Sequence, residues 1–286
     1  MVKEAGSGTL YLVSTPIGNL EDITLRALRI LKAVDRVAAE DTRRTQKLLR
    51  HYDIHKPLVS YHEHNEKRRS AELISMLLAG EDLALVSDAG TPGLSDPGYR
   101  IIQEALKEGI PICPIPGPSA VVTALLVSGL PTHSYSFFGF LPRSSGARRR
   151  FLKDIQRDPN TLVFYESPRR VQQTLQDIAG ILGDRRSALC RELTKRFEEV
   201  LRGRVTELLE TIRNKELKGE VSILVTGWRA HGETFDSSNV LVELKEIQEK
   251  EQSGLKEAVR RLARVHGVSK RALYQRALAE RKTNTV

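Results

Sequence analysis

Residues 84–100 read ALVSDAGTPGLSDPGYR, and this stretch decides how the chain is read. A β-rich run, Leu83–Ser87, ends in a loop holding Asp88, Gly90, Pro92, Gly93, Asp96 and Gly98, and a helix pattern starts at Tyr99. Glycines let backbone approach a ligand closely, and prolines hold a loop in shape. Ligands of open α/β sheets bind beyond the carboxyl ends of the strands, where such loops gather. Asp88 stands at the strand end, placed to accept hydrogen bonds from a ligand hydroxyl or ammonium. The simpler reading is a long turn with aspartate caps; a loop this dense in Gly, Pro and Asp argues against plain connection.

The same junction occurs twice more. In TLYLVSTPIGNLEDITLRAL (residues 9–28) a strand ends at Ser14, and the turn Thr15-Pro16-Ile17-Gly18-Asn19 leads to a helix near Asp22. In PIPGPSAVVTAL (residues 114–125) Ser119 stands where it can cap a helix and leave backbone N–H groups for a polar ligand edge. No junction has the Gly-Lys-Ser/Thr of a phosphate-binding loop, and none has the Gly-x-Gly-x-x-Gly of a dinucleotide fold.

Outward from these loops, β-rich and amphipathic runs alternate. Strands are expected at Thr9–Ser14, Arg36–Ala39, Pro57–Tyr61, Leu83–Ser87 and Ile110–Ile115. Helices are expected at Ile23–Val34, Arg43–His51, Glu66–Ala79 and Tyr99–Lys107; the second has the weakest pattern. Such alternation predicts an α/β fold with a mostly parallel sheet covered on both faces. A helix at Ser119–Val127 runs into the breaker cluster Gly129-Leu130-Pro131, and the pattern changes. Strands at Ser134–Leu141, Leu162–Tyr165, Ala188–Glu192, Glu198–Leu201 and Val221–Thr226, with helices near Arg148–Ile155, Arg170–Leu182 and Val205–Arg213, predict a second, mixed α/β domain. Ala188–Glu192 and Glu198–Leu201 are expected to form a hairpin through the turn near Lys195.

The polar segment HGETFDSSN after Trp228 reads as a linker. The remainder is helical in character, with two amphipathic stretches around His266-Gly267-Val268-Ser269, a helix-turn-helix pattern. From Lys256 to Lys282 nine basic residues face two acidic ones. The expected division is therefore residues 8–118, residues 119–229 and a basic helical tail over residues 240–286.

Length and charge bound the rest. A chain of 286 residues makes one large or two ordinary domains. Its net charge of +9 favours a polyanionic partner or an anionic membrane surface, with an ordinary basic enzyme as the plainer alternative. No apolar run is long enough to span a bilayer, and of these partners RNA, not a membrane, is the one expected. The start, MVKEAGSGTL, lacks the apolar segment of a signal peptide. Cys113 and Cys190, each in an apolar run, read as buried free thiols of a cytoplasmic protein without a cysteine metal site.

Charged residues gather at other strand ends. Glu40 and Asp41 end a strand, and Arg43 and Arg44 open the next helix; His62, Glu63, His64 and Asn65 end another strand. Metal binding is set aside, since alternate positions on a strand end converge only partly. Acid–base groups, RNA contacts and a solvated charged rim remain open. In FYESPRR and CRELTKRFEE a carboxylate (Glu166, Glu192) is again followed by cations (Arg169, Arg170, Lys195, Arg196). These are surface ion pairs or the rim of a cleft for a phosphodiester chain.

Seven motifs in order, VSTPIGNLEDIT, AEDTRRT, SYHEHNE, VSDAGTPGLSDPGYR, PIPGPSA, FYESPRR and GEVSILVTG, resemble the tetrapyrrole-methylase-like family of S-adenosylmethionine-dependent methyltransferases. The resemblance runs from Thr9 to about Gly227 and is nearest to the RNA-modifying branch. It implies two α/β domains with S-adenosylmethionine in the cleft between them, and a homodimer. It implies methyl transfer to the ribose 2′-oxygen of a cytidine in the decoding centre of small-subunit (16S) ribosomal RNA. The chain lacks the Gly-x-Gly-Asp turn of other members, so the tetrapyrrole branch's substrate contacts do not transfer. By motif match, Pro16, Asp88, Thr91, Ser119, Ala120, Tyr165 and Val221 are the expected cofactor residues. Glu40, Asp41, Glu63 and Glu166 are the candidate proton acceptors, with Arg43 on a flanking phosphate, and catalysis by positioning alone stays open. Arg44, Arg169, Arg170, Lys195, Arg260, Arg261, Lys270 and Arg271 are the expected RNA contacts. A tetrapyrrole methyltransferase of the same fold and a non-catalytic RNA-binding protein are the competing functions.

Overall fold

The structure is a computed structural model and describes residues 6–228 and 254–266, together with residues 244, 247, 270, 273, 274 and 277. The first sheet holds β1 (Leu10–Val13), β2 (Arg36–Ala39), β3 (Leu58–Ser60), β4 (Leu83–Val86) and β5 (Ile112–Ile115) in the order β3-β2-β4-β1-β5. Every neighbouring pair is parallel. The crossovers are α1 (Leu25–Ala33), α2 (Thr42–His51), α3 (Glu66–Leu78) and α4 (Tyr99–Lys107). A parallel sheet needs cover on both faces. One cluster joins Leu31 and Ile54 to Val37 and Val86; another joins Leu73, Leu77 and Ile101 to Leu10 and Leu85. Caps set the helix starts. Thr24 accepts from the Ala27 N–H, so α1 begins two residues later than the apolar spacing suggests. Asp41 accepts from the Arg43 N–H, which anchors the weakly patterned α2.

The second sheet holds β6 (Tyr135–Phe140), β7 (Thr161–Glu166), β8 (Arg186–Arg191), β9 (Glu199–Arg204) and β10 (Val221–Val225), ordered β6-β7-β10-β8-β9. It is mixed: β6 and β7 are parallel, and the other pairs antiparallel. The expected hairpin forms, and β9 runs on to Arg204 because its pairing continues as far as Arg186. The helices are α5 (Ala120–Ser128), α6 (Ser145–Asp154), α7 (Val171–Leu182) and α8 (Val205–Ile212). Ser144 caps α6, which therefore starts at Ser145, three residues before the expected Arg148. Cys113 and Cys190 are buried and unpaired.

In the tail, α9 (Leu255–His266) buries Ala258, Val259, Leu262 and Ala263 in a small core shared with Leu244, Leu273 and Ala277. Arg260, Arg261 and Lys270 are exposed, and Arg271 lies outside the described residues. No described helix is long and apolar enough to cross a membrane.

Candidate active site

Four carboxyl-terminal loops of the first sheet meet the second sheet around a cleft of about 390 Å³. The loops are stitched together by their own backbone. Thr15 and Gly90 exchange N–H···O bonds of 2.8 and 3.0 Å. Ser14 Oγ lies 3.0 Å from Thr91 Oγ1, and Thr15 Oγ1 donates to the Ser87 carbonyl. Gly117 passes so close to Ser14 that a Cβ there would stand 2.9 Å from the Ser14 Cβ.

Most of the expected cofactor residues converge. Asp88, Thr91, Ser119 and Ala120 line the cleft from the first sheet's side, and Tyr165 and Val221 from the second sheet. Pro16 is buried and is not a lining residue; its neighbour Ile17 is. Ile17 packs against Val121, Val163, Ala188 and Leu224, so the turn that carries it plugs into the core of the second sheet. Gly18 beside it leaves room for the stem of Lys195, and the Asn19 N–H donates to Thr194 Oγ1 at 3.2 Å.

The charged candidates separate. Glu40, Arg44 and Glu166 line the cleft, whereas Asp41, Arg43 and Glu63 do not. The Arg43 side chain is 87% exposed and pairs with Asp41 at 3.1 Å, while Arg44 pairs with Asp88 at 3.2 Å. Arg43 holds the Asp41 carboxyl down at about 2, which makes that group a weak proton acceptor. Glu63 is exposed. Glu166 is buried with both oxygens engaged, one by Arg170 Nε and the Ser167 N–H at 2.7 Å, the other by Thr174 Oγ1 at 2.6 Å. Arg170 also donates to the Leu141 carbonyl, so it braces the strand end from within. Lys195 bonds to Glu192 and Glu220 at 2.9 and 3.1 Å. Arg169 is exposed. Among the described residues, no three His, Cys, Asp or Glu side chains gather as a cation site.

Asp96, Glu220 and Phe140 also line the cleft. Asp96 is the second of the two aspartates in the opening motif, and both line the cleft; nothing local in the sequence shows this for Asp96, because it depends on contacts with the second sheet. Burial, then the charge of Glu40, pushes the Asp96 carboxyl up to about 7. Burial and the neighbouring Asp88 push Glu40 upward too. Tyr165 is raised to about 12 by burial first and by Asp96 second. The cleft thus combines apolar lining residues, Ile17, Leu193 and Val221 among them, with the carboxylates of Glu40, Asp88, Asp96 and Glu220.

Comparison with known proteins fits this geometry. Residues 9–209 match the Tetrapyrrole (Corrin/Porphyrin) Methylases, and residues 251–282 match the RsmI C-terminal HTH domain. The Ribosomal RNA small subunit methyltransferase I of Halalkalibacterium halodurans is 50% identical over 273 residues, covering 93% of each chain. The chain belongs to the tetrapyrrole methylase family, in its branch of ribosomal RNA small subunit methyltransferases I. The enzyme of that name from Escherichia coli is 45% identical and covers 96% of each chain. Solved structures of other proteins share the fold. Diphthine synthase superposes with a TM-score of 0.61 at 16% identity, covering 77% of this chain and 90% of that one. The uroporphyrin-III C-methyl transferase of Thermus thermophilus complexed with S-adenyl homocysteine superposes with a TM-score of 0.55 at 22% identity, covering 76% and 97%.

Proposed function

We propose that this protein is an S-adenosylmethionine-dependent methyltransferase acting on the ribose 2′-oxygen of a cytidine in the decoding centre of small-subunit ribosomal RNA. The observation that carries the reading is the likeness to ribosomal RNA small subunit methyltransferases I over nearly the whole chain, tail included. The cleft residues suit the cofactor. Apolar Ile17, Leu193 and Val221 offer a dry wall for an adenine, and Asp88 offers a carboxylate to a hydroxyl or ammonium. The cofactor has no phosphate, which accords with loops that lack a phosphate-binding pattern.

When bound, S-adenosylmethionine supplies a methyl carbon already activated by a sulfonium. The protein's work is to hold the acceptor in line and exclude water. Arg44 at the cleft edge is placed to hold a phosphate beside the target ribose. Exposed Arg169, Arg260, Arg261 and Lys270 extend the basic surface for RNA. The reading divides the chain at residues 8–118, 119–229 and 240–286. It includes action in the cytoplasm and a homodimer, for which exposed Val122 and Leu126 on α5 offer an apolar face.

Methyl transfer from labelled S-adenosylmethionine to bare small-subunit RNA, to assembled small subunits and to a tetrapyrrole precursor tests the reading. Label in one cytidine ribose of the RNA is the expected result. Label in the tetrapyrrole and none in either RNA substrate would overturn it.

A further inference from the structure

We propose that Phe140 is a stacking platform for the target nucleotide, its ring receiving the base of the acceptor residue at the mouth of the cleft. This rests on the methyltransferase reading above and deepens it.

The ring stands where regular strand geometry would not put it. Side chains alternate along a strand, so Phe138 and Phe140 would share one face and Phe137 the other. Phe138 does lie on the face covered by α6 and α7, packed against Phe151 and Phe164. Phe137 lies on the opposite face, edge-on to Tyr165. Phe137 pairs with Val163 and Phe140 with Tyr165, so β6 takes one residue more than β7 over the same stretch. The extra residue makes a bulge, with Gly139 at a left-handed φ of 62°. The bulge turns Phe140 to the Phe137 side, where it lines the cleft.

Three aromatic rings then run from the core to the opening. Phe137 is half-buried in the core beneath the cleft, and Tyr165 lines the cleft 4.9 Å from it, centroid to centroid. Phe140 follows 5.6 Å from Tyr165 and is 60% exposed. Both its chain neighbours are buried, and the Leu141 carbonyl accepts from Arg170, itself bound to Glu166. A firmly held backbone thus presents an apolar ring to water. Tyr99, Tyr135, Phe197 and Trp228 are also exposed, but none of them lines the cleft.

The reaction calls for such a ring. A nucleotide stacked inside an RNA helix cannot enter a cleft between two sheets, so the acceptor has to leave its stack. An unstacked base regains contact area on an aromatic side chain. Arg44 lines the cleft from the first sheet and Phe140 from the second. A nucleotide with its phosphate at Arg44 and its base at Phe140 places its ribose between them. Every base has a π face, so the ring holds the nucleotide without choosing cytosine.

The experiment compares Phe140→Ala, Phe140→Leu and Phe140→Trp in binding to small subunits across a salt series, with S-adenosylmethionine affinity measured by calorimetry. The side chain is exposed, so all three should melt near the wild type. Phe140→Ala should bind small subunits about ten- to a hundredfold more weakly, Phe140→Leu should recover little of this, and Phe140→Trp should bind as the wild type does. The salt slope should not change, because stacking neutralises no phosphate. S-adenosylmethionine affinity should stay at its wild-type value. Subunits reconstituted with an abasic ribose at the acceptor position supply the paired measurement. The wild type should lose affinity for them as Phe140→Ala does for intact subunits, and Phe140→Ala should lose nothing further. Additive losses from the variant and the abasic ribose overturn the platform. So does a loss of S-adenosylmethionine affinity in Phe140→Ala, which would give the ring to the cofactor. A wild type that methylates no RNA fails the parent function and the platform with it, whereas an active enzyme indifferent to Phe140→Ala fails the platform alone.

Discussion

Asp88 has two partners and room for more. Its Oδ1 accepts from the Asp41 N–H at 2.9 Å, and its Oδ2 pairs with Arg44 at 3.2 Å. Each carboxylate oxygen still has an acceptor position, and Asp88 lines the cleft. Asp88→Ala should therefore weaken S-adenosylmethionine binding by about tenfold or more, since a hydrogen bond to a charged group is worth about 1.5–3 kcal/mol. Calorimetry on the folded variant measures this, and wild-type affinity would remove Asp88 from the cofactor site. Which arginine reaches the cleft is a matter of helix geometry. Arg43 and Arg44 are adjacent in sequence, but successive helical residues point about 100° apart. One goes to solvent with Asp41 and the other to Asp88. The sequence shows the pair; it does not show the phase, because Asp41 as cap decides where α2 starts.

Strands and helices were legible because their signals are local: apolar spacing, caps and breakers. The Thr15–Asn19 turn was not, because what it touches lies far along the chain. Its Ile17 enters the second sheet's core, and Gly18 faces Lys195. A Cβ on Gly18 would collide with Lys195 Cγ and stand 2.9 Å from its Cε, so the lysine must move and loosen its bonds to Glu192 and Glu220. The turn opposite is itself strained, with left-handed Glu192 and Thr194. These partly exposed ion pairs contribute about 1 kcal/mol or less each, so the melting temperature of Gly18→Ala should fall little. Because the contact joins the two sides of the cleft, cofactor affinity should fall severalfold. On a Lys195→Ala background the same substitution should cost much less, since only the 3.0 Å approach to Thr194 Oγ1 is left. Equal losses in both backgrounds would show that Gly18 acts through some other contact.

The molecule as a whole separates a cleft, lined among the described residues by residues 17–222, from a basic tail with its own small core. A chain ending at Trp228 should therefore keep its affinity for S-adenosylmethionine. RNA binding should respond differently. On α9, Arg260 and Arg261 are exposed while Leu262 and Ala263 are buried, so the helix turns its apolar stripe inward and its cations outward. Each phosphate neutralised by a cation adds about 0.7–0.9 to the slope of log affinity against log salt. Lys256, Arg260, Arg261 and Lys270 are four exposed cations among the described tail residues. If they meet phosphates, truncation should flatten the slope by about 3 and weaken small-subunit binding most at low salt. Binding of full-length and truncated protein to small subunits across a salt series measures both. An unchanged slope with unchanged affinity would assign the tail to some contact other than RNA, and the positive charge that first suggested a polyanion would then have to act from the rim of the cleft alone.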